Sequence, residues 1–210
     1  MPFDTNVFIN CPFDKHYVPL LQPLLFTVVY LGLDPMISET KSSGQIRVEQ
    51  IKKLIYNSKY SIHDISRSEA LKENDLPRFN MPYEMGLDIG CQSYGKGKRA
   101  LKKCLVLEKS KYHYLKVISD IAGQDIENHN DNPQVLIRKV RNWFAAVLNN
   151  HQPSPTLIWE AYNKFFIDLT ERLKADAFSG DDTESLPFSN FILLAREWID
   201  SYKRRRRTAK

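Results

Sequence analysis

The sequence has few cysteines, no long apolar run and no signal segment, and each of these absences excludes a class of protein. Its three cysteines form no CxxC pair and cannot all pair with one another, which argues against a disulfide scaffold or a zinc motif. No apolar run reaches the ~18 residues of a membrane span. The opening MPFDTNVFIN lacks the basic and apolar regions of a secretory signal. We therefore expect a cytoplasmic protein with no bound metal and no membrane partner.

The positive charge is concentrated at the C-terminal end of the chain. The net charge is +5, yet residues 203–210 contain six cationic residues and no acidic one, so the preceding chain sums to −1. Two interpretations stay open. The basic tail binds nucleic-acid phosphates or an acidic partner, or it is a solvated, frayed terminus, which is the more frequent case.

The first 150 residues alternate short β-prone runs with helical stretches, a pattern typical of βαβ units. We predict an α/β fold with a doubly wound, mostly parallel sheet of four or five strands. The segment 115–123 is either a fifth strand or a turn of helix. The predicted strands are 6–10, 33–38, 60–66 and 103–108, and the predicted helices are 17–32, 47–58, one from about residue 82, and 133–149.

The segment NNHQPSP (149–155) has two prolines and no apolar residue, and it marks a boundary after the 1–150 domain. A helical extension follows at 156–202, with predicted helices 157–175 and 188–202, before the basic tail 203–210. A unit this small does not fold alone, so we expect it to pack on the first domain or on a partner. Four aromatic residues form the docking surface or a self-association contact: Trp159, Tyr162, Phe166 and Trp198.

Polar side chains follow each of the first three predicted strands. Because the carboxyl ends of parallel strands meet at one edge, where ligands of open α/β sheets bind, we expect these residues to line a small-molecule site. They are Asn10, Cys11, Pro12, Phe13 and Asp14 after the first strand; Glu39, Ser42, Ser43 and Gly44 after the second; His63, Asp64, Ser66 and Arg67 at the third; and Arg78, Asn80 and Glu84 before or in the next helix.

Each of these residues also has a structural interpretation. Asp14 either caps the following helix or binds a ligand. His63 more often fills a hydrogen-bonded core position than acts as a base. Asp64 follows a buried strand, so either Arg67 neutralises it or it faces the crevice. The loop around Ser43 offers backbone N–H groups to phosphate, although it lacks the usual phosphate-loop glycine spacing.

The stretch FNMPYEMGLDIG (79–90) places Glu84 in the first turn of a predicted apolar helix. Pro82 suits the first helical position, and a carboxylate in the first turn gains roughly 0.3–1 kcal/mol from the helix dipole. On this pattern alone, Glu84 either stabilises a helix start or takes part in chemistry.

Three segments together resemble the TIR-like and nucleoside 2-deoxyribosyltransferase-like group of flavodoxin-type domains. They are VFINCPFD, SIHDISR and LPRFNMPYEMGLDIG, and the similarity spans roughly residues 6–148. Two features differ from the family patterns. FNMP replaces the Trp-Cys pair that often precedes the TIR glutamate, and LPRFN replaces the Asp-rich run before the deoxyribosyltransferase glutamate.

The resemblance implies cleavage of an N-glycosidic bond, with NAD or a related nucleotide or nucleoside as substrate rather than cofactor. By this likeness Glu84 attacks the anomeric carbon or stabilises the oxocarbenium-like cation. Asp64 and Asp14 would hold the sugar, Asn80 would position Glu84 or the base, and Arg67 would meet a phosphate. The predicted catalytic residues are Glu84 and Asp64, and the predicted substrate-binding residues are Asn10, Pro12, Phe13, Asp14, Ser43, Arg67 and Asn80.

The resemblance also implies an effector of a prokaryotic defence or toxin system that acts through self-association. The alternative hypothesis is a nucleotide-binding sensor without catalysis. In that case the C-terminal helices relay the bound state to a partner protein.

Overall fold

A parallel five-stranded sheet forms the centre of the molecule. The structure, a computed structural model, describes residues 2–38, 47–67, 76–121, 126–180, 182 and 185–208. Within these residues the strands follow the order β2-β1-β3-β4-β5, and every neighbouring pair is parallel. The strands are β1 (Asn6–Asn10), β2 (Asp34–Ile37), β3 (Tyr60–Asp64), β4 (Lys103–Glu108) and β5 (Ile126–Asn128).

Helices cover both faces of this sheet. α1 and α4 pack together on one face and α2 and α3 on the other, so the predicted doubly wound α/β architecture is confirmed. α5 packs on α4 and α1, and α6 packs on α1 and α5. The helices of the described chain are α1 (Val18–Tyr30), α2 (Arg47–Tyr56), α3 (Asn80–Tyr94), α4 (Pro133–Leu148), α5 (Pro155–Ala175) and α6 (Phe188–Thr208).

Burial on both faces explains the sequence of β1. Val7 and Ile9 point into the core under α1 and α4, whereas Phe8 packs against Ile51 and Ile55 of α2 on the opposite face. Strands covered on both sides read as continuous apolar runs, and all five residues of β1 are buried. The prediction of this strand at 6–10 is therefore confirmed.

The strand order creates a switch point between β1 and β3. The chain moves outward from β1 to β2 on one side and from β3 to β4 and β5 on the other. The loops after β1 and β3 therefore diverge to opposite faces of the sheet and leave a crevice between them. Asn10 and Asp64 are the last residues of these two strands.

The described residues of the segment after β4 (109–121) contain two short 3₁₀ turns and no strand, which excludes the strand alternative for residues 115–121; residues 122 and 123 lie outside the described residues. The turns span His113–Lys116 and Ser119–Ile121, and β5 begins only at Ile126. The Glu108 carboxylate closes the loop because it accepts hydrogen bonds from the backbone N–H groups of Tyr112, at 2.7 Å, and Tyr114, at 3.0 Å.

α4 and α5 both begin with a side-chain N-cap followed by a proline. Asn132 caps α4 and Ser154 caps α5, and each side chain accepts a hydrogen bond from a free backbone N–H in the first turn. Pro133 and Pro155 follow directly, at the first helical position, where a missing N–H costs nothing.

The C-terminal helices share the main hydrophobic core with the sheet domain. Phe26 of α1 stacks on Phe165 with ring centroids 5.2 Å apart, and it also contacts Tyr162 at 5.5 Å and Trp198 at 6.1 Å. These aromatic residues therefore pack on the first domain. None of the helices within the described ranges is both long enough and apolar enough to cross a membrane.

The basic end of the chain continues α6 as far as Thr208, and residues 204–208 of this end are exposed to solvent. Lys203 holds this end in place because its Nζ donates a hydrogen bond of 2.7 Å to the carbonyl of Tyr30. One turn earlier along the helix, Ile199 is buried in the core.

Candidate active site

Asn10 ties together the three elements that meet at the switch point. Its side chain is buried, and its Nδ2 donates to the carbonyl of Met81 and lies next to Nδ1 of His63, both at 2.8 Å. Met81 lies in the first turn of α3, and His63 is the penultimate residue of β3. Asn10 therefore fixes the start of α3 above the ends of β1 and β3.

The face of α3 that packs on the sheet carries both acidic and apolar residues. Met81, Glu84, Met85 and Asp88 are the buried residues of the helix, and their spacing of three and four residues places them on one side. The helix begins at Asn80, so the expectation that Glu84 lies in the first turn is wrong.

Pro82 is the third helical residue rather than the first. It is tolerated there because the first N–H groups of a helix have no intrahelical partner. Glu84 lies beyond this first turn. The helix dipole therefore does not account for its presence.

Glu84 is a nearly buried carboxylate without a protein partner. Its exposed fraction is 8%, and its carboxylate makes no hydrogen bond or ion pair with another residue of the described chain. Burial raises the pKa of Glu84, and the positive charge of Arg47 and of His63 only partly opposes this shift. A carboxylate removed from water without compensation destabilises the fold. A cationic or hydrogen-bonding ligand would therefore stabilise the Glu84 carboxylate.

Asp64 has the opposite environment. It is fully buried and accepts hydrogen bonds from Tyr17 Oη at 2.5 Å, from the Ser66 N–H at 2.9 Å and from Ser66 Oγ, and His129 Nε2 lies 3.0 Å from its Oδ2. Burial raises the pKa of Asp64, but the hydrogen bonds from His129, Ser66 and Tyr17 outweigh it and hold the pKa below its usual value. Protein donors therefore already occupy both carboxylate oxygens.

Ser66, His129 and Asp64 do not form a catalytic triad. Nε2 of His129 faces both Ser66 Oγ and Asp64 Oδ2 at 3.0 Å, and its Nδ1 accepts a hydrogen bond from the N–H of Asp131. Nε2 therefore carries the proton, whereas a serine nucleophile needs an unprotonated nitrogen beside its hydroxyl. This cluster fastens the end of β3 to the residue after β5.

Asp14 joins the loops after β1 and β3. Its Oδ1 lies 2.8 Å from Arg67 Nη2, and its Oδ2 lies 3.8 Å from Arg78 Nη1. Its side chain does not cap α1, which has no side-chain cap. The alternative in which Arg67 neutralises Asp64 is wrong, because Arg67 pairs with Asp14 and other donors satisfy Asp64.

The remaining predicted binding residues lie in different surroundings. Pro12 is buried, and the ring of Phe13 packs 6.1 Å from the ring of Phe188 at the start of α6. Asn80 is exposed at the first position of α3. Ser43 lies outside the described residues.

Cys11 shows which of these groups the fold brings together. Burial raises the pKa of the Cys11 thiol, and the negative charges of Asp64, Glu84 and Asp14 raise it further. The charges of the three predicted carboxylates therefore all act on one buried residue just after β1. A thiol in such a place stays protonated and is a poor nucleophile.

A second buried polar cluster lies one helical turn beyond Glu84, and its main members went unrecognised in the sequence. His63 Nε2 lies 3.0 Å from Asp88 Oδ2, and Lys102 Nζ lies 2.9 Å from Asp88 Oδ1. Lys102 also donates to the carbonyls of Ile55, at 2.8 Å, and Ser58. The spacing of four residues from Glu84 is the signal that identifies Asp88. The sequence around Lys102 does not distinguish it from a surface lysine.

Three residues of the same cluster each offer one ligand atom to a metal ion. The ligand atoms of His63, Asp88 and Cys104 lie within 4.8 Å of one another. The ammonium of Lys102 already supplies the positive charge beside Asp88 and competes with a metal ion.

His63 lies between Asn10 and Asp88. Burial lowers the pKa of His63, but Cys104 and Asp88 raise it to about 9. Asn10 Nδ2 lies 2.8 Å from Nδ1 of the ring, and Asp88 Oδ2 lies 3.0 Å from Nε2. The ring therefore supplies a positive charge beside Asp88 at neutral pH.

Comparison with known proteins identifies no relative of this chain. No protein-family model, curated protein or solved structure matches this chain. The likeness to TIR-like and deoxyribosyltransferase-like domains therefore rests on the three short segments of the sequence.

Proposed function

We propose that the protein cleaves the N-glycosidic bond of NAD or a related nucleotide, with Glu84 as the catalytic carboxylate. One observation carries the proposal: Glu84 is a nearly buried carboxylate, without a partner in the described chain, beside the switch point of the sheet. Ligands of doubly wound folds bind at that position. The oxocarbenium-like cation that forms as the base departs would be the charge partner that Glu84 lacks.

The surroundings of Glu84 suit this role. An ion pair is stronger away from water, so a desolvated carboxylate stabilises a neighbouring cation more than a hydrated one does. The charges of Arg47 and His63 favour the ionised form against burial. In the reaction the bond between C1 and the base nitrogen breaks, and its electron pair leaves with the base. Water then adds a hydroxyl to C1 and releases a proton.

The other polar residues act as positioning and binding groups. Asn10 fixes the first turn of α3, and Asp64 fastens the loop that begins at Ser66. Arg67 is held by Asp14 and its side chain is only 11% exposed, whereas that of Arg78 is 54% exposed beside it. Arg78 is therefore the more accessible cation for a phosphate group.

The test compares the wild type with Glu84→Gln and with Glu49→Gln, a control that neutralises an exposed glutamate of α2. Each protein is incubated with NAD and with a panel of nucleotides and nucleosides, and base release is followed by chromatography. We expect release by the wild type and by the control, and at least about a hundredfold less by Glu84→Gln. Release that persists in Glu84→Gln would contradict the proposal.

A specific contact supports nucleotide sensing without turnover as a second candidate. Phe13, in the loop after β1, packs on Phe188 at the start of α6, so the crevice and the C-terminal helices touch directly. Because protein donors occupy Asp64, Glu84 is the carboxylate of the predicted catalytic pair that lacks a donor within the described residues. NAD binding measured by calorimetry, together with a change in tryptophan fluorescence and no product, would favour the sensor over the enzyme.

A further inference from the structure

We infer that the cleft between α5 and the last turns of α6 binds single-stranded nucleic acid. The cleft has a volume of about 350 Å³. It shares no residue with the proposed catalytic site, so either proposal can fail without the other. Its lining residues are Lys164, Asp168, Trp198, Tyr202, Arg205 and Arg206.

Three cations converge on this cleft. Residues 203–207 are five consecutive basic residues, and because α6 is helical here, they point in different directions around its axis. Arg205 and Arg206 line the cleft, and Lys164 of α5 lines it as well. Grouped cations of this kind recognise the phosphates of a nucleic-acid backbone.

The basic turn is held in place before any ligand arrives. The aliphatic stem and ammonium of Lys203 lie against α1, with Nζ 2.7 Å from the carbonyl oxygen of Tyr30 and 4.7 Å from the centroid of its ring. Ile199 and Ala195 anchor the preceding turns in the core. Fixed groups lose less conformational entropy on binding than mobile ones.

Two stacked aromatic rings form one wall of the cleft. The rings of Trp198 and Tyr202 lie 4.6 Å apart at an angle of 14°, and Asp168 orients the indole by accepting a 2.6 Å hydrogen bond from its Nε1. The guanidinium of Arg206 lies 5.8 Å from the centroid of the Tyr202 ring. Aromatic rings beside arginines are the elements on which single-stranded bases stack.

The surface around the basic turn favours nucleic acid over a lipid bilayer. The apolar face of α6, formed by Phe191, Ala195 and Ile199, is already buried in the protein. Residues 204–208 are exposed and contain only arginines and a threonine. A helix that lies in a membrane surface needs a free apolar face, and this turn has none.

The first experiment measures anisotropy of a fluorescein-labelled oligothymidylate of about 15 nucleotides. Arg205→Glu/Arg206→Glu removes two cleft cations, and Arg204→Glu/Arg207→Glu makes the same charge change at exposed residues of the same turn that do not line the cleft. We expect the first pair to weaken binding at least about tenfold more than the second. Equal losses, or no binding by the wild type, would overturn the cleft assignment.

Salt dependence tests the number of phosphate contacts. With three cations in the cleft, the logarithm of the wild-type affinity should fall with the logarithm of salt concentration at a slope of about −2. A slope near zero would contradict phosphate recognition.

A second probe tests base stacking and the competing ligand class. An abasic strand of equal length keeps the phosphates but lacks the bases, and we expect it to bind at least about fivefold more weakly. Equal binding of both strands would exclude stacking on Trp198 and Tyr202. Binding to phosphatidylserine vesicles without binding to the oligonucleotide would overturn the proposal in favour of a membrane surface.

Discussion

Asp64 and Glu84 are two buried carboxylates at the same edge of the sheet, with opposite surroundings. Asp64 receives hydrogen bonds from Tyr17 and Ser66 and faces His129, and its pKa lies below the usual value. Glu84 receives no hydrogen bond from the described chain, and burial raises its pKa. The fold itself thus surrounds the first charge with hydrogen-bond donors and gives the second only the partial compensation of the nearby charges of Arg47 and His63. In this molecule, the missing donors, more than the burial, distinguish a candidate catalytic carboxylate from a structural one.

The largest effect on stability is expected for Asp64→Asn. The amide places a donor where the carboxylate accepts from Tyr17, Ser66 and His129, so at least one buried donor loses its partner. We expect the free energy of unfolding to fall by about 3 kcal/mol, measured by urea denaturation at neutral pH. A loss below about 1 kcal/mol would show that these donors do not compensate the charge.

A smaller loss of unfolding free energy is expected for His129→Gln, which removes one of the donors to Asp64. Because the pKa of Asp64 is lowered in the fold, its stabilisation is present above the unfolded-state pKa and is lost as pH falls through the folded-state pKa. Without His129 that folded-state pKa rises, and we expect about 1–2 kcal/mol less stability at neutral pH. Acid unfolding followed by circular dichroism should move to higher pH. An unchanged acid transition would contradict the role of His129.

Glu84→Gln is expected to stabilise the protein by about 1 kcal/mol at neutral pH. The folded-state pKa of Glu84 is raised, so the folded protein binds the proton more tightly and the wild type loses stability as pH rises through that pKa. The difference between the two proteins should therefore vanish below about pH 4, where the carboxyl is protonated in both states. Thermal unfolding at both pH values measures it. A variant less stable than the wild type at neutral pH would show that Glu84 has a partner.

The smallest effect on stability is expected for Asn80→Ala, because Asn80 is exposed at the start of α3. The free energy of unfolding should change by less than about 0.5 kcal/mol. Base release should fall if Asn80 orients Glu84 or the substrate. Unchanged stability together with unchanged turnover would remove Asn80 from the site.

Local patterns predicted most of the fold and less of the site. β1 and β4 lie where their apolar runs place them, because strands buried on both faces carry their own signal. β5 has three residues, all only partly buried, so it has almost no periodicity to detect. The sequence pattern places the start of α3 about two residues too late, because Pro82 is tolerated inside the first turn as well as at its beginning.

The partners of the site residues were beyond sequence reasoning because they come from distant parts of the chain. Tyr17 and His129 lie 47 and 65 positions from Asp64, and only the packing of α1 and the order of β4 and β5 bring them together. Lys102 reaches Asp88 from the residue before β4. Sequence identified which residues carry charge at the sheet edge, and tertiary contacts decide which of those charges stay uncompensated.

The length of α6 gives the molecule a mechanical property. Its 21 residues form a rod of about 30 Å, whose first residue, Phe188, touches Phe13 and whose last turns carry Arg205 and Arg206. Trp198 rests on Phe26 between these two ends. Because Phe191, Ala195 and Ile199 are buried along the rod and Lys203 binds the carbonyl of Tyr30, the rod is held at several points and its two ends keep a fixed separation. The crevice and the basic cleft are thus two ends of one rigid part.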